Sequence, residues 1–383
     1  MKNLFFSNLI VLGNFMNKAD LRGKDSILVF EYYTASGTTN PMIISEAVAM
    51  INSLLDDLKD LNVYFLLSKN FEHIAKNHKN LQAIIIEKSL LNWLSINITN
   101  FNSCLFISSE EDMNLHDITN LIEKNNVKLY TSNSFATLLC SDKFKTYNHF
   151  DGMIKQPKTL KFNIDKEFKW EIAIEKIMDF FKLGESKSLN DRLDGSFKLI
   201  VKPVNGVDCQ DIILIFNINN FKNLKNVFPI GSSVLIQEFI EGDIVSVSLI
   251  SDGRKAIPIS LNKQNIALNK ENFSYLGGEI PYNHPLKEKA FEIAKKAIES
   301  IDGIRGFVGV DLILNEEVYL LEINSRFTTP YVGLKQIANF NIGKSIIELI
   351  DNKIAIESLN NKIKFNDKVK FIKHGNNLDI EII

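Results

Sequence analysis

The chain has 383 residues, 45% of them hydrophobic and 23% charged, with a formal net charge of −2. That is the composition of a globular protein long enough for two or three packed units. The near balance of charge excludes an electrostatic case for nucleic acid or an anionic membrane as partner.

Cys104, Cys140 and Cys209 make no CxxC pair, and the histidines carry no zinc spacing. This cysteine usage suits a reducing cytoplasm and gives no disulfide framework. Residues 1–26 read as a leader of undefined structure. Within it Leu4–Leu12 is an apolar run behind Lys2 that lacks an A-x-A cleavage site and is too short to span a bilayer. Met16 is an alternative start. No other apolar run is long enough for a membrane helix.

From Ile27 the pattern alternates. Strand Ile27–Phe30 leads into a loop, Glu31–Gly37, and then a helix over Pro41–Lys59, whose apolar residues from Ile43 to Leu58 fall on one face. Strand Val63–Leu67, helix Phe71–Lys79, strands Ala83–Ile86 and Leu105–Ile107, helix Leu115–Lys124 and strand Val127–Tyr130 follow. Alternation of this kind predicts a parallel sheet covered by helices. Ligands of such sheets bind beyond the strand C-termini, so Glu31–Thr39 is either the edge of a substrate pocket or a plain strand–helix connection. Three spaced glycines are absent there, which excludes a dinucleotide fingerprint.

Asn133–Phe150 is predicted as one helix carrying Ser141-Asp142-Lys143-Phe144-Lys145-Thr146-Tyr147 at its middle, and Gln156-Pro157-Lys158-Thr159 as a turn. Helix Trp170–Phe181 precedes the strand KLIVK, Lys198–Lys202, which exits into Pro203-Val-Asn-Gly206 and a glycine-poor loop, Val207-Asp208-Cys209. VLIQEFIEGDIVSVSLI, from Val234, reads as two strands about an E-G-D turn. Lys263 and Gln264 follow, then the Gly277-Gly278 pair, expected to mark a loop. Pro285–Ile301 is a long amphipathic helix.

Phe307–Leu314 and Val318–Ile323 are apolar strands joined by the polar turn Asn315–Glu317, a hairpin. Asp311 sits inside the first strand; Glu322, Asn324 and Arg326 share a face of the second by strand alternation. The hairpin can bring Asp311 opposite Glu322. Two carboxylates and an amide oxygen then converge beside a guanidinium, which suits Mg²⁺, with Mn²⁺ as an alternative. The competing reading is a cross-strand ion pair with a Lys or Arg. Helices over Tyr331–Asn339 and Gly343–Ile350 and a small strand region over Asn352–Ile383 complete the chain.

Asp311-Leu-Ile-Leu and Tyr319-Leu-Leu-Glu322-Ile-Asn324-Ser-Arg326 resemble the Mg²⁺-binding strand pair of the ATP-grasp ligases. The resemblance covers residues 133 to 334, and its strength lies in the order of the motifs. It implies an α/β chain: an ATP-grasp fold of two α+β lobes gripping ATP, preceded by a Rossmann-like parallel-sheet domain. The implied division is 27–132 for that domain, 133–350 for the ATP-grasp unit with its B-lobe at about 160–236, and 351–383 for a tail. It also implies roles. Asp311, Glu322 and Asn324 hold the metal, while Lys143 and Lys202 face the nucleotide phosphates. The backbone at Glu238 and Ile240, with Gln237, meets the adenine. Many relatives place a glutamate on the ribose where this chain has Ile244, which leaves Asp243 as the candidate. Lys263 faces the transferred phosphate and Arg326 the oxyanion.

The continuation Arg326-Phe-Thr-Thr-Pro-Tyr-Val-Gly-Leu334 is similar to one branch of that family, the tyramine–glutamate ligases of methanofuran biosynthesis. It departs from the branch at Ser325 and Pro330, which have proline and serine there. The implied activity joins a small-molecule carboxylate to an amine with ATP, and Tyr32, Tyr33, Phe327 and Tyr331 are expected to wall a slot for a phenol amine. A D-alanine–D-alanine-like or pyrrolysine-pathway-like ligase is the runner-up within the family. A nucleotide-binding module without catalysis and a structural partner in an assembly are the readings from other classes. The sequence leaves a homodimer open.

Overall fold

Strands β2 (Ile27–Glu31), β3 (Val63–Ser68), β4 (Gln82–Ile86) and β5 (Ser103–Ile107) are buried almost throughout, as their unbroken apolar runs require when helices cover both faces. In the computed structural model, which describes residues 11–12, 25–183, 197–206, 211–221, 224, 227–269, 271–375 and 377–383, they form a six-stranded parallel sheet with β1 (Val11–Leu12) and β6 (Lys128–Leu129). Its order is β1-β4-β3-β2-β5-β6. Val11–Leu12 is thus an edge strand. Of the rest of the expected leader, residues 1–10 and 13–24 lie outside the described residues, as does the loop Val207–Cys209.

The second sheet has eleven strands and is antiparallel at every pairing. Its members are β7 (Thr159–Asn163), β8 (Leu199–Pro203), β9 (Ile213–Ile215), β10 (Ser233–Glu238), β11 (Asp243–Asp252), β12 (Ala256–Asn269), β13 (Asn272–Ile280), β14 (Arg305–Leu314), β15 (Val318–Asn324), β16 (Val369–His374) and β17 (Asn377–Ile382). The path runs β15-β14-β11-β12-β13-β9-β8-β10-β7, with β16 on β13 and β17 on β16. One residue pair, Asn272↔Ile213, carries the sheet from its large half to the four strands β9-β8-β10-β7. Around that narrow junction Leu214 N–H donates to the Glu271 carbonyl at 2.8 Å and the Asn220 amide to the Glu271 carboxylate at 2.6 Å. The small half has its own core, with Ile177, Val201, Ile215, Val234 and Ile236 at its centre.

Four local readings change. Glu31–Gly37 is not a loop: Tyr32–Ser36 is a short helix, because the Glu31 carboxylate accepts the N–H groups of Tyr33 and Thr34 and so caps it. The helix over 133–150 is two, Ser134–Ser141 and Lys143–Phe150. Asp142 leaves the helical conformation and its carboxylate takes the Phe144 and Lys145 N–H groups. Thr159 ends the expected turn and opens β7. Gly277-Gly278 lies within β13 rather than in a loop. A Cβ on Gly277, at φ +122°, would stand 2.0 Å from the Phe371 carbonyl oxygen, and one on Gly278 2.1 Å from that of Lys263, so only glycine lets β12, β13 and β16 close. Sequence reading also passed over the helix Leu90–Asn97. Among the described residues, no helix is long and apolar enough to cross a membrane.

Candidate active site

A cavity of about 570 Å³ opens between the large and small halves of the second sheet and reaches the C-terminal ends of β2 and β5 in the first. That volume suits a small-molecule site. Its floor is the hairpin β14–β15, whose register places Asp311 opposite Glu322, with a bulge after Asp311.

Two buried carboxylates side by side repel. Burial and then the Glu322 charge push the Asp311 carboxyl up to about 8. Burial acts on Glu322 as well, but Lys143 and Lys202 outweigh it and hold that carboxyl below its ordinary range. The Lys143 ammonium lies 3.0 Å from Glu322 Oε2 and donates to the Gly206 carbonyl at 2.6 Å. Gln264 donates to Asp311 Oδ1 at 2.9 Å and Asn324 Nδ2 to Oδ2 at 3.0 Å.

The set fits an oxygen-ligated divalent cation. Asn324 spends an N–H on Asp311 and keeps its carbonyl oxygen for a cation, and Asp311, raised by burial beside the Glu322 charge, would be returned to its carboxylate form by one. The set is two carboxylates and an amide; among the described residues no group of three or more His, Cys, Asp and Glu side chains stands together as a metal site.

Lys202 is buried at the exit of β8, opposite Leu235 of β10, and lines the cavity. Gln237, Glu238 and Ile240 line the same wall. The Gln237 amide donates to Thr159 Oγ1 at 2.9 Å, and the Glu238 backbone N–H donates to the Lys158 carbonyl at 2.9 Å. Two expected residues stand apart. Asp243 is not in the cavity wall: its carboxylate accepts from Tyr282 Oη at 2.6 Å. Lys263 borders the cavity, but its Nζ sits over the Tyr282 ring, 5.0 Å from the centroid. Strand alternation explains it: Asn262 and Gln264 of β12 turn to the Asp311 side and Lys263 to the other.

Arg326 leaves β15 into the cavity wall. Its Nε donates to Glu110 Oε2 at 2.8 Å and Nη1 to the Phe327 carbonyl at 3.1 Å. Burial lowers the affinity of the guanidinium for its proton; the Glu110 charge more than offsets this and keeps the cation in place. The other oxygen of Glu110, Oε1, is buried with no hydrogen-bond partner.

The expected aromatic slot is not assembled from the four residues named for it. Phe327 and Tyr331 are buried in the core with Phe307, their ring centroids 4.8–5.6 Å apart, and Tyr331 Oη donates to Asp57 Oδ2 at 2.8 Å. A phenol next to an apolar cluster packs inward once a buried acceptor waits for its hydroxyl. Tyr32 faces a separate surface groove, and of the four Tyr33 alone lines the cavity. Tyr33 Oη donates to Glu111 Oε2 at 2.7 Å and lies 2.7 Å from Ser109 Oγ.

Gln264, Asn262, Glu110 and Glu46 line the site without having been singled out. Gln264 was within reach of alternation along β12. Glu110 follows the C-terminal end of β5, the position that points to ligands in parallel sheets. No local signal marks Glu46.

A profile of the ATP-grasp domain matches residues 140–330. The chain is 33% identical, over 81% of its own length and 89% of the relative's, to a tyramine–L-glutamate ligase of Methanocaldococcus fervens. It is 32% identical, over 88% and 92%, to a tyramine–L-glutamate ligase of Methanocaldococcus jannaschii. In fold it is similar to the crystal structure of an ATP-grasp superfamily protein from Archaeoglobus fulgidus, with a TM-score of 0.66 at 22% identity, covering 94% of this chain and 99% of that one.

Proposed function

This chain belongs to the ATP-grasp ligases, in one family with the tyramine–L-glutamate ligases, and on that premise we propose that it joins the side-chain carboxylate of L-glutamate to the amine of tyramine at the expense of ATP. The observation that carries the reading is the convergence of Asp311, Glu322 and Asn324 with Lys143 and Lys202 in one cavity that continues to Arg326. Anionic phosphates and a reacting carboxylate need such cations on two sides.

In this reading residues 27–132 are the N-terminal unit and 133–350 the ATP-grasp unit, with β7 to β10 in the B-lobe and β16–β17 of the tail added to its sheet. Lys202 and Lys143 offset charge on the nucleotide, and the segment Gln237–Ile240 borders the adenine. Asp311, Glu322 and Asn324 would hold Mg²⁺, or Mn²⁺, which supplies positive charge against the phosphates.

A carboxylate oxygen of glutamate attacks the γ-phosphorus of ATP and the bond from that phosphorus to the β–γ bridging oxygen breaks, giving an acyl phosphate and ADP. The amine lone pair then attacks the acyl carbon, the carbon–oxygen bond to phosphate breaks, and nitrogen loses a proton as the amide forms. Arg326, fixed by Glu110 and the Phe327 carbonyl, faces the oxygen that gathers charge in both steps. Lys143 holds Glu322 ionised. The two steps require no protein nucleophile; among the described residues Cys104 and Cys140 are buried, and burial pushes both thiols up. Their free state suits a reducing cytoplasm.

The test is phosphate release with ATP, Mg²⁺, glutamate and a panel of amines. Release that requires both glutamate and tyramine, with γ-glutamyltyramine found by mass spectrometry, is expected. Release with glutamate and aliphatic amines but not tyramine would overturn the amine and leave the ligase. Release with no amine and no carboxylate would overturn both.

A further inference from the structure

The cavity runs past Arg326 to one face of the Pro41–Asp57 helix. Met42, Ile43, Glu46, Ala47 and Met50 line it there, residues spaced so that they share a helical face. Four of the five are apolar, and Met42 at the cavity mouth is 53% exposed, which leaves its side chain open to a ligand. Met50 belongs to the same apolar cluster as Ile280 of β13 and Phe371 of β16, which line the cavity as well. The slot thus has apolar walls from three separate parts of the chain.

Its one charged wall residue on the helix is Glu46. The Glu46 carboxylate accepts from Thr329 Oγ1, just beyond Arg326 on the exit of β15. That bond ties the side chain to the cavity side of the helix; a carboxylate accepts several hydrogen bonds at once, so the tie orients it without exhausting it. Its negative charge acts on Arg326 and on Glu31, which line the same cavity.

We propose that this helical face is the amine subsite: a primary amine with an apolar aryl or alkyl body lies along Met42, Ile43 and Met50, with its ammonium on Glu46. The assignment presupposes the ligase reaction and adds the side from which the nucleophile arrives. Arg326 and Glu46 then divide the substrates by sign, the guanidinium taking the carboxylate and the carboxylate the ammonium. Phe371 gives the C-terminal hairpin a part in the site: it closes the slot opposite the helix.

The test separates amine use from acyl-phosphate formation. Hydroxylamine is small enough to trap an acyl phosphate without occupying the slot, so glutamyl hydroxamate reports the first step alone. For Glu46→Gln, the KM for tyramine should rise about tenfold or more, as expected for loss of a charged hydrogen-bond partner, a change several times larger than any in the KM values for ATP and glutamate or in hydroxamate formation. A second variant, Ile43→Trp, fills the slot and should lose tyramine turnover while keeping hydroxamate formation. Wild-type tyramine KM in both variants would overturn the subsite and leave the ligase standing. Absence of hydroxamate in the wild type would overturn the ligase reading. In that case calorimetric binding of tyramine to the wild type but not to Glu46→Gln would still support the subsite, and equal binding or none would overturn it.

Discussion

Replacing Glu110 by alanine should leave Arg326 as a buried cation without its hydrogen-bonded counter-charge, with only the weaker field of Glu46 acting on it. The pair is 2.8 Å long, with the arginine side chain 18% and the glutamate side chain 9% exposed, so solvent can compensate little. Removing one partner of such a pair typically costs ~3–5 kcal/mol. The partial exposure of Arg326 and its second bond, to the Phe327 carbonyl, put the value near the lower end, about 3 kcal/mol. With a urea m-value of about 3 kcal/mol/M the midpoint should fall by about 1 M. Glu110 stands at the end of β5 and Arg326 at the end of β15, so the loss should appear in the transition that separates the two sheets. Arg326→Met added to Glu110→Ala should recover part of it, because the unpaired charge is then gone. A midpoint shift below about 0.2 M, or a double variant less stable than Glu110→Ala alone, would refute the reasoning.

Glu31 gives a pH prediction. Burial raises its carboxyl from 4.5 to about 7; at about 1.4 kcal/mol per unit this is on the order of 3 kcal/mol. Because the folded value is the higher one, this stabilisation is complete below about pH 4.5 and is lost as pH rises through about 7. The stability difference between wild type and Glu31→Gln should therefore shift against the wild type across that window; a flat difference in chemical denaturation would contradict it. Gly277→Ala forces a Cβ to 2.0 Å from the Phe371 carbonyl oxygen at φ +122°, so thermal unfolding should show a loss on the order of 3 kcal/mol. A Tm unchanged within error would mean that β13 and β16 do not close as described. Lys202→Ala should weaken ATP binding, read by calorimetry, by about tenfold or more; equal affinity would make Lys202 structural.

The hairpin β14–β15 was legible because its information is local. Two apolar runs about a three-residue polar turn announce the hairpin and bring Asp311 near Glu322, but regular pairing from Leu314↔Val318 would set Asp311 opposite Leu321; the bulge after Asp311 shifts the register by one and puts Glu322 there, which spacing alone does not show. The break at Asp142 and the cap at Glu31 are local too, but each is a competition between a side chain and the backbone that apolar periodicity does not see. Phe327 and Tyr331 show the other limit. An aromatic residue beside a site can wall a pocket or fill a core, and the choice was made by Asp57, which lies 274 residues from Tyr331. Glu110 reaches Arg326 across 216 residues. Such pairings depend on how the two sheets meet, and nothing in either segment alone encodes that.

The central claim is that a carboxylate is phosphorylated before an amine attacks it. Glutamate labelled with ¹⁸O in its side-chain carboxylate tests this most directly, with ATP, Mg²⁺ and tyramine, and the released phosphate read by ³¹P NMR or mass spectrometry. The account predicts one ¹⁸O in the inorganic phosphate for each amide formed, since the acyl oxygen leaves with phosphorus. Amide formation accompanied by phosphate free of ¹⁸O would contradict it.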